Sequence, residues 1–142
     1  MKSKSVAPSL EPKLFRLIDA NLNRLKEGIR VVEDIFRYIY DNKDISKKLK
    51  ELRHQAKIED YEIFLKYRDI VNDVLKESIK SEKNRGNLKD IILANLKRAQ
   101  ESARVLEESF KLIDTQKSEI FKKIRYELYN VEKEIILLLS SN

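Results

Sequence analysis

The sequence predicts an all-α domain, a four-helix bundle made of two pseudo-repeated helical hairpins. Three observations lead there. The 142 residues contain only two glycines and two prolines, too few turn formers for an all-β fold. Apolar residues recur at three- and four-residue steps over long stretches, the period of a helix with one core-facing stripe. Sliding the chain by 74 residues lays one polar motif over a second copy of itself.

Residues 1–11 are polar and read as a flexible N-terminus, with the helical domain spanning 12–142. Pro12 suits the first turn of a helix, where its missing N–H leaves nothing unpaired. From there Leu14, Leu17, Ile18, Leu22, Leu25, Ile29, Val32, Ile35, Phe36 and Ile39 form one stripe. Asp41–Asp44 breaks it, and Asp44 is the expected N-cap of a second helix. That helix runs on Leu49, Leu52, Ala56, Ile58 and Ile63 to about Tyr67, closing a first hairpin over 12–67. Residues 68–86 have weak periodicity and read as a connector, with a short helix over Val74–Lys80. Connectors of this length in a small domain are usually functional or mobile. The second hairpin, 87–140, has one helix from Asn87 to about Ile113 and another from Ser118, its expected cap, to about Leu139.

Composition excludes several classes. No cysteine is present, so disulfides and thiolate metal sites are ruled out. Neither a Walker-type loop nor a dinucleotide-binding glycine fingerprint occurs. No apolar run is long enough to cross a membrane, and the N-terminus lacks a secretory hydrophobic core; a cytoplasmic location is expected. The net charge of +6 suits phosphorylated metabolites, nucleic acid or an acidic partner. Acids and bases are interleaved, however, which argues against nucleic acid and equally fits a solvated Lys/Glu-rich surface. Leftover apolar stripes would also permit a homodimer.

The repeat carries the functional signal. Ala20-Asn21-Leu22 falls on Ala94-Asn95-Leu96, Arg24 on Arg98, Glu27 on Glu101, Arg30 on Arg104, Glu33 on Glu107, and Asp34 on Glu108. Val31 and Phe36 meet Val105 and Phe110, and a weaker echo at 72 residues joins Leu52-Arg53 to Ile124-Arg125. Packing alone would preserve mainly apolar positions, yet most of the matches are polar. Two readings stand side by side. Arg24–Glu27, Glu27–Arg30 and Arg30–Asp34 have the spacing of neighbouring-turn ion pairs. Alternatively the two polar edges face each other and enclose a pocket. Arginines would then hold phosphate, carboxylates would bind Mg²⁺ or act as base, and asparagines would read a heterocycle's edge. Arg68, Asp69 and Asp73 of the connector could close over such a ligand. His54 reads as a surface or structural residue.

Asp19-Ala20-Asn21-Leu22-Asn23-Arg24, Glu27 through Asp34, Leu52-Arg53-His54, Arg68-Asp69 with Asp73-Val74, and Asn95 through Glu108 stand in one order along the chain. Together they resemble the small helical hydroxymethylpyrimidine-phosphate kinase family of thiamin biosynthesis. Its members are often fused ahead of thiamin-phosphate synthase and sometimes stand alone. The resemblance covers residues 14–138. It implies ATP- and Mg²⁺-dependent phosphorylation of 4-amino-5-hydroxymethyl-2-methylpyrimidine phosphate to the diphosphate, with thiamin-phosphate synthase as a possible partner. The chain is far too short to hold a (β/α)₈ barrel itself. On this reading Asn21, Arg24, Arg30, Arg68, Asn95, Arg98 and Arg104 are expected to bind substrate or nucleotide. Glu27, Asp34, Asp69, Glu101 and Glu108 are the candidate catalytic carboxylates, and Glu33, Asp73 and Glu107 the candidate magnesium ligands. A non-catalytic module docking on the synthase is the alternative, and a nucleic-acid-binding domain the third.

Overall fold

The structure is a computed structural model that describes residues 10–77 and 85–141. Helix α1 (Glu11–Asp34) passes into a π-helical turn (Ile35–Ile39) and is followed by α2 (Lys43–Gln55) and a short α3 (Tyr61–Leu65); α4 (Leu88–Phe110) and α5 (Thr115–Ser140) complete the chain. No strand occurs among the described residues. The four long helices close a ring in which α1 packs on α2 and α4, and α5 packs on α4 and α2, while α3 lies against α1. No described helix is long and apolar enough to cross a membrane.

The core is the stripe that the spacing marks out. Ile18, Leu25, Ile29, Val32 and Phe36 are fully buried, as are Ile92, Leu96 and Leu106 of α4. Each such side chain contributes about 1.5–3 kcal/mol relative to exposure. Phe110 stacks on Phe121 at 5.5 Å, tying α4 to α5. Phe64 joins the start of α1 to the end of α4, lying 4.7 Å from Phe15 and 6.3 Å from Phe110. Further along, Gly28 abuts α4 so closely that a β-carbon there would sit 2.8 Å from the Asn95 carbonyl oxygen. These two contacts make α1 and α4 antiparallel. Their register sets Arg24 and Glu27 at the same level along the bundle as the stretch Arg98–Glu101.

Several boundaries differ from the expectation. The second helix stops at Gln55 instead of Tyr67. Ala56, Ile58 and Phe64 are all buried, and positions 56 and 58 point to opposite sides of any single helix, so the chain turns to bury both. Ile63, expected in the core, is exposed in consequence. Ile39 is also exposed, because the π turn rotates the residues after Phe36 off the core face. The N-cap of α2 is Asn42, whose Oδ1 accepts from the Ile45 N–H at 3.0 Å; Asp44 lies inside the first turn. Asp114, not Ser118, caps α5, accepting from the Gln116 and Lys117 amides. The Ser118 hydroxyl instead donates to the Glu107 carbonyl at 2.7 Å. Asn87, the expected start of the third helix, is the N-cap of α4, its Oδ1 accepting from the Asp90 N–H at 2.9 Å. Within the expected connector helix, Val74–Glu77 forms turns, and Ser78–Lys80 lie outside the described residues. Of the expected flexible N-terminus, residues 1–9 also lie outside them, while Glu11 already begins α1.

Candidate functional site

The connector is strapped onto α1 by a buried carboxylate. Asp19 is 2% exposed, and its two oxygens accept from Arg68 Nε and Nη2, both at 2.7 Å. The Tyr61 hydroxyl donates to the same carboxylate at 2.7 Å and the Asn23 amide at 3.4 Å. Arg68 also bonds the Tyr61 hydroxyl. A second strap runs from Arg16 Nη2 to the Asp69 carbonyl at 2.8 Å. The next turns are locally capped: Asp69 accepts from the amide and side chain of Asn72, and Asp73 from the Leu75 N–H.

Burial by itself raises the Asp19 pKa. The hydrogen bonds from Arg68, Tyr61 and Asn23 and the charge of Arg68 outweigh burial, so the carboxyl lies below the ordinary value of 3.8. Arg68 is held further up by its bond to Asp19, and the Tyr61 hydroxyl is raised by burial and by Asp19. A carboxyl depressed in the folded state stabilises the fold above its unfolded pKa, and that stability is lost as pH falls through the folded value. The strap is therefore expected to hold at neutral pH and to release only as pH falls below the ordinary carboxylate range. Protection of the amides of residues 68–76, relative to their intrinsic exchange rates, should fall in that range, and the acid step should vanish in Asp19→Asn.

Between the connector and the exposed face of α1 lies an open cleft of about 760 Å³. Asn21, Arg24, Glu27, Arg68, Asp69 and Asp73, all expected from the sequence, line it together, with Lys13 and Arg16 beside them. Its size falls in the range of small-molecule sites. Residues 16–134 match the ThiD2 family. The chain belongs to the ThiD2 family. The thiamine-phosphate synthase of one Prochlorococcus marinus strain is 40% identical over 139 residues, covering 97% of this chain and 40% of that protein. The thiamine-phosphate synthases of a Synechococcus species and of Thermosynechococcus vestitus are each 35% identical, over 137 and 136 residues. These alignments cover 96% and 94% of this chain and 39% of each relative. The chain thus spans about two fifths of the length of the curated relatives it matches. No solved structure matches it significantly.

In this ThiD2 chain the repeated charged residues divide into three groups. Arg30 pairs with Asp34 at 3.3 Å and Arg104 with Glu108 at 3.0 Å, with Lys111 also on Glu108. These four candidates are engaged in neighbouring-turn ion pairs. Glu33 and Glu107 differ from the expectation of metal ligation. Arg53 grips Glu33 through Nε at 2.7 Å and Nη2 at 3.1 Å, and Arg125 grips Glu107 at 3.0 and 2.9 Å. Both glutamates are buried, on separate hairpins, and tie each hairpin's two helices together. The weak echo joining Arg53 to Arg125 is the other half of these twin pairs. Among the described residues no three His, Cys, Asp or Glu side chains form a group able to hold a metal ion. The third group is Arg24, Glu27, Arg98 and Glu101, which are exposed and make no ion pair or hydrogen bond among the described residues. Asn21 and Asn95 each donate to the carbonyl four residues back, at 3.0 and 2.8 Å.

The second copy is not drawn into the connector cleft. Glu101 and Arg104 line a separate depression of about 450 Å³ with Lys97, Gln100 and Tyr129. His54 is exposed, as expected. The sequence reading missed Asp19, Tyr61, Arg16, Lys13 and Asn23. Asp19 escaped because the repeat sets it against Leu93, so it carries no matched partner. The available signal was a carboxylate beside Phe15, Ile18 and Leu22 on the apolar side of α1, where a charge requires a partner.

Proposed function

We propose that this chain works in thiamin biosynthesis as a kinase, transferring the γ-phosphoryl group of ATP to 4-amino-5-hydroxymethyl-2-methylpyrimidine phosphate. One observation carries the reading. Arg24 and Glu27, like Arg98 and Glu101, have the spacing to pair within their own helices, yet all four stay exposed and unpaired among the described residues, and Arg24 and Glu27 line the connector cleft. Family membership and the names of the relatives supply the pathway.

The chemistry asks little of the protein beyond charge and placement. An oxygen of the acceptor's phosphate attacks the γ-phosphorus, the bond from that phosphorus to the bridging β–γ oxygen breaks, and ADP leaves. The attacking group is already an anion, so no side chain has to deprotonate it. Two polyanions must instead be brought together, and Lys13, Arg16 and Arg24 line the cleft where they would be neutralised. Magnesium bound on nucleotide phosphates takes one or two protein carboxylates and keeps waters. Glu27 and Asp73 are the cleft carboxylates left for it, since Asp19 is held by Arg68 and Asp69 by Asn72. When present it would neutralise charge on the transferring phosphoryl group.

The test is ADP release by the purified chain with ATP, Mg²⁺ and the pyrimidine monophosphate, beside pyridoxal and the unphosphorylated pyrimidine. ADP should appear with the monophosphate, matched by diphosphate in the phosphorus spectrum. Absence of ADP supports a second reading, favoured by the greater length of the relatives: a non-catalytic module docking on thiamin-phosphate synthase.

A further inference from the structure

The cleft has one apolar wall. Leu17, Ala20 and Ile70 are its non-polar lining; everything else around it is charged or an amide. Leu17 has the spacing of a core residue but is 44% exposed at the rim, and Ile70 is 73% exposed. Ile70 does not hang there by chance of a loose loop. The two residues before it are each held by an α1 side chain, Arg68 by Asp19 and the Asp69 carbonyl by Arg16. Beyond Ile70 the connector also exposes Val71, Val74 and Leu75, at 71%, 94% and 83%, none of which lines the cleft. Scattered exposed aliphatics are ordinary on a protein surface, whereas an aliphatic held at the lining of a charged cleft by two anchored neighbours is a candidate ligand contact.

We infer that Ile70, facing Leu17 and Ala20, is the specificity-determining contact for a flat heterocyclic ring carrying a phosphate, and that Asp19 is the positioning residue that sets Ile70 over the cleft. A purely apolar occupant would strip water from Lys13 and Arg24, which have no partner among the described residues. Inorganic phosphates would leave the aliphatic lip in water. A ligand with one apolar face and one anionic end satisfies both walls. Nothing equivalent is built on the second copy, where Leu93 replaces Asp19 and Asp90 replaces Arg16. The inference rests on the kinase reading for the identity of the ring, but its binding test does not depend on turnover.

Hydrogen–deuterium exchange on the full chain separates the two walls. The pyrimidine monophosphate should slow exchange over residues 69–76, and inorganic pyrophosphate should not. Ile70→Ser should raise KM for the pyrimidine monophosphate about tenfold with little change in kcat. Ile70→Val should restore KM, and pyrophosphate affinity should stay that of the parent in both. Asp19→Asn should reproduce the KM increase and abolish the ring-dependent slowing. Equal slowing by pyrophosphate, or an Ile70→Ser KM equal to the parent's, overturns the inference and leaves the kinase reading standing if ADP is still formed. Ring-dependent slowing without ADP removes the kinase reading and supports this one.

Discussion

Replacing Glu107 by alanine is expected to lower the stability of the domain by about 3–5 kcal/mol. The reason is what remains behind. The Arg125 side chain is 9% exposed and lies between α4 and α5, with Glu107 as its ion-pair partner. It also donates a 3.3 Å hydrogen bond to the Tyr129 hydroxyl and lies 4.9 Å from the centre of the Tyr126 ring, neither of which carries a compensating full charge. Removing the carboxylate strands a guanidinium that water reaches poorly. A domain of this size has roughly 5–15 kcal/mol in all, so the loss is a large share of its stability. It should appear as a fall in the urea midpoint of roughly 1–3 M. The double variant Glu107→Leu/Arg125→Met should recover most of the loss, since apolar pairs of similar volume often replace buried ion pairs without penalty. Glu33→Ala should cost less, because Arg53 is 18% exposed and can be solvated. A Glu107→Ala midpoint within about 0.3 M of the parent would show that the pair does not hold the second hairpin.

Arg24→Ala should lower kcat/KM for the pyrimidine monophosphate by about 100-fold or more, equivalent to roughly 2.7 kcal/mol of transition-state stabilisation. The melting temperature should move little, because Arg24 is exposed and makes no ion pair or hydrogen bond with any described residue. Arg24→Lys keeps the charge but not the planar fork, so it should recover part of the rate only. Arg98→Ala gives the same measurement for the second copy. If both alanine variants turn over at the parent's rate with the parent's KM, the arginines are surface charges and the phosphate assignment fails.

The repeat was legible because periodicity and pair identity are properties of the chain alone. It picked out Glu33 with Glu107 and, faintly, Arg53 with Arg125. It could not say that these four form two buried ion pairs, because nothing in the spacing tells a buried glutamate from a metal ligand. The offset changes from 74 to 72 between the two halves of the pair, since the first hairpin carries the longer bend through the π turn and Asn42. Similarly, Arg30 with Asp34 and Arg24 with Glu27 look alike in the sequence. The first pair forms and the second does not.

By itself, the sequence determined the helical class, the two hairpins and most of the core, because helical periodicity is local and burial follows from it. It also marked the polar edge of α1 that lines the cleft. Tertiary structure decided where the connector lies, and therefore that Asp19, Tyr61 and Arg16 belong to the site. Those contacts join residues 42 to 53 positions apart. A bond across that distance depends on how α1, α3 and the connector are packed together, which no window of neighbouring residues encodes.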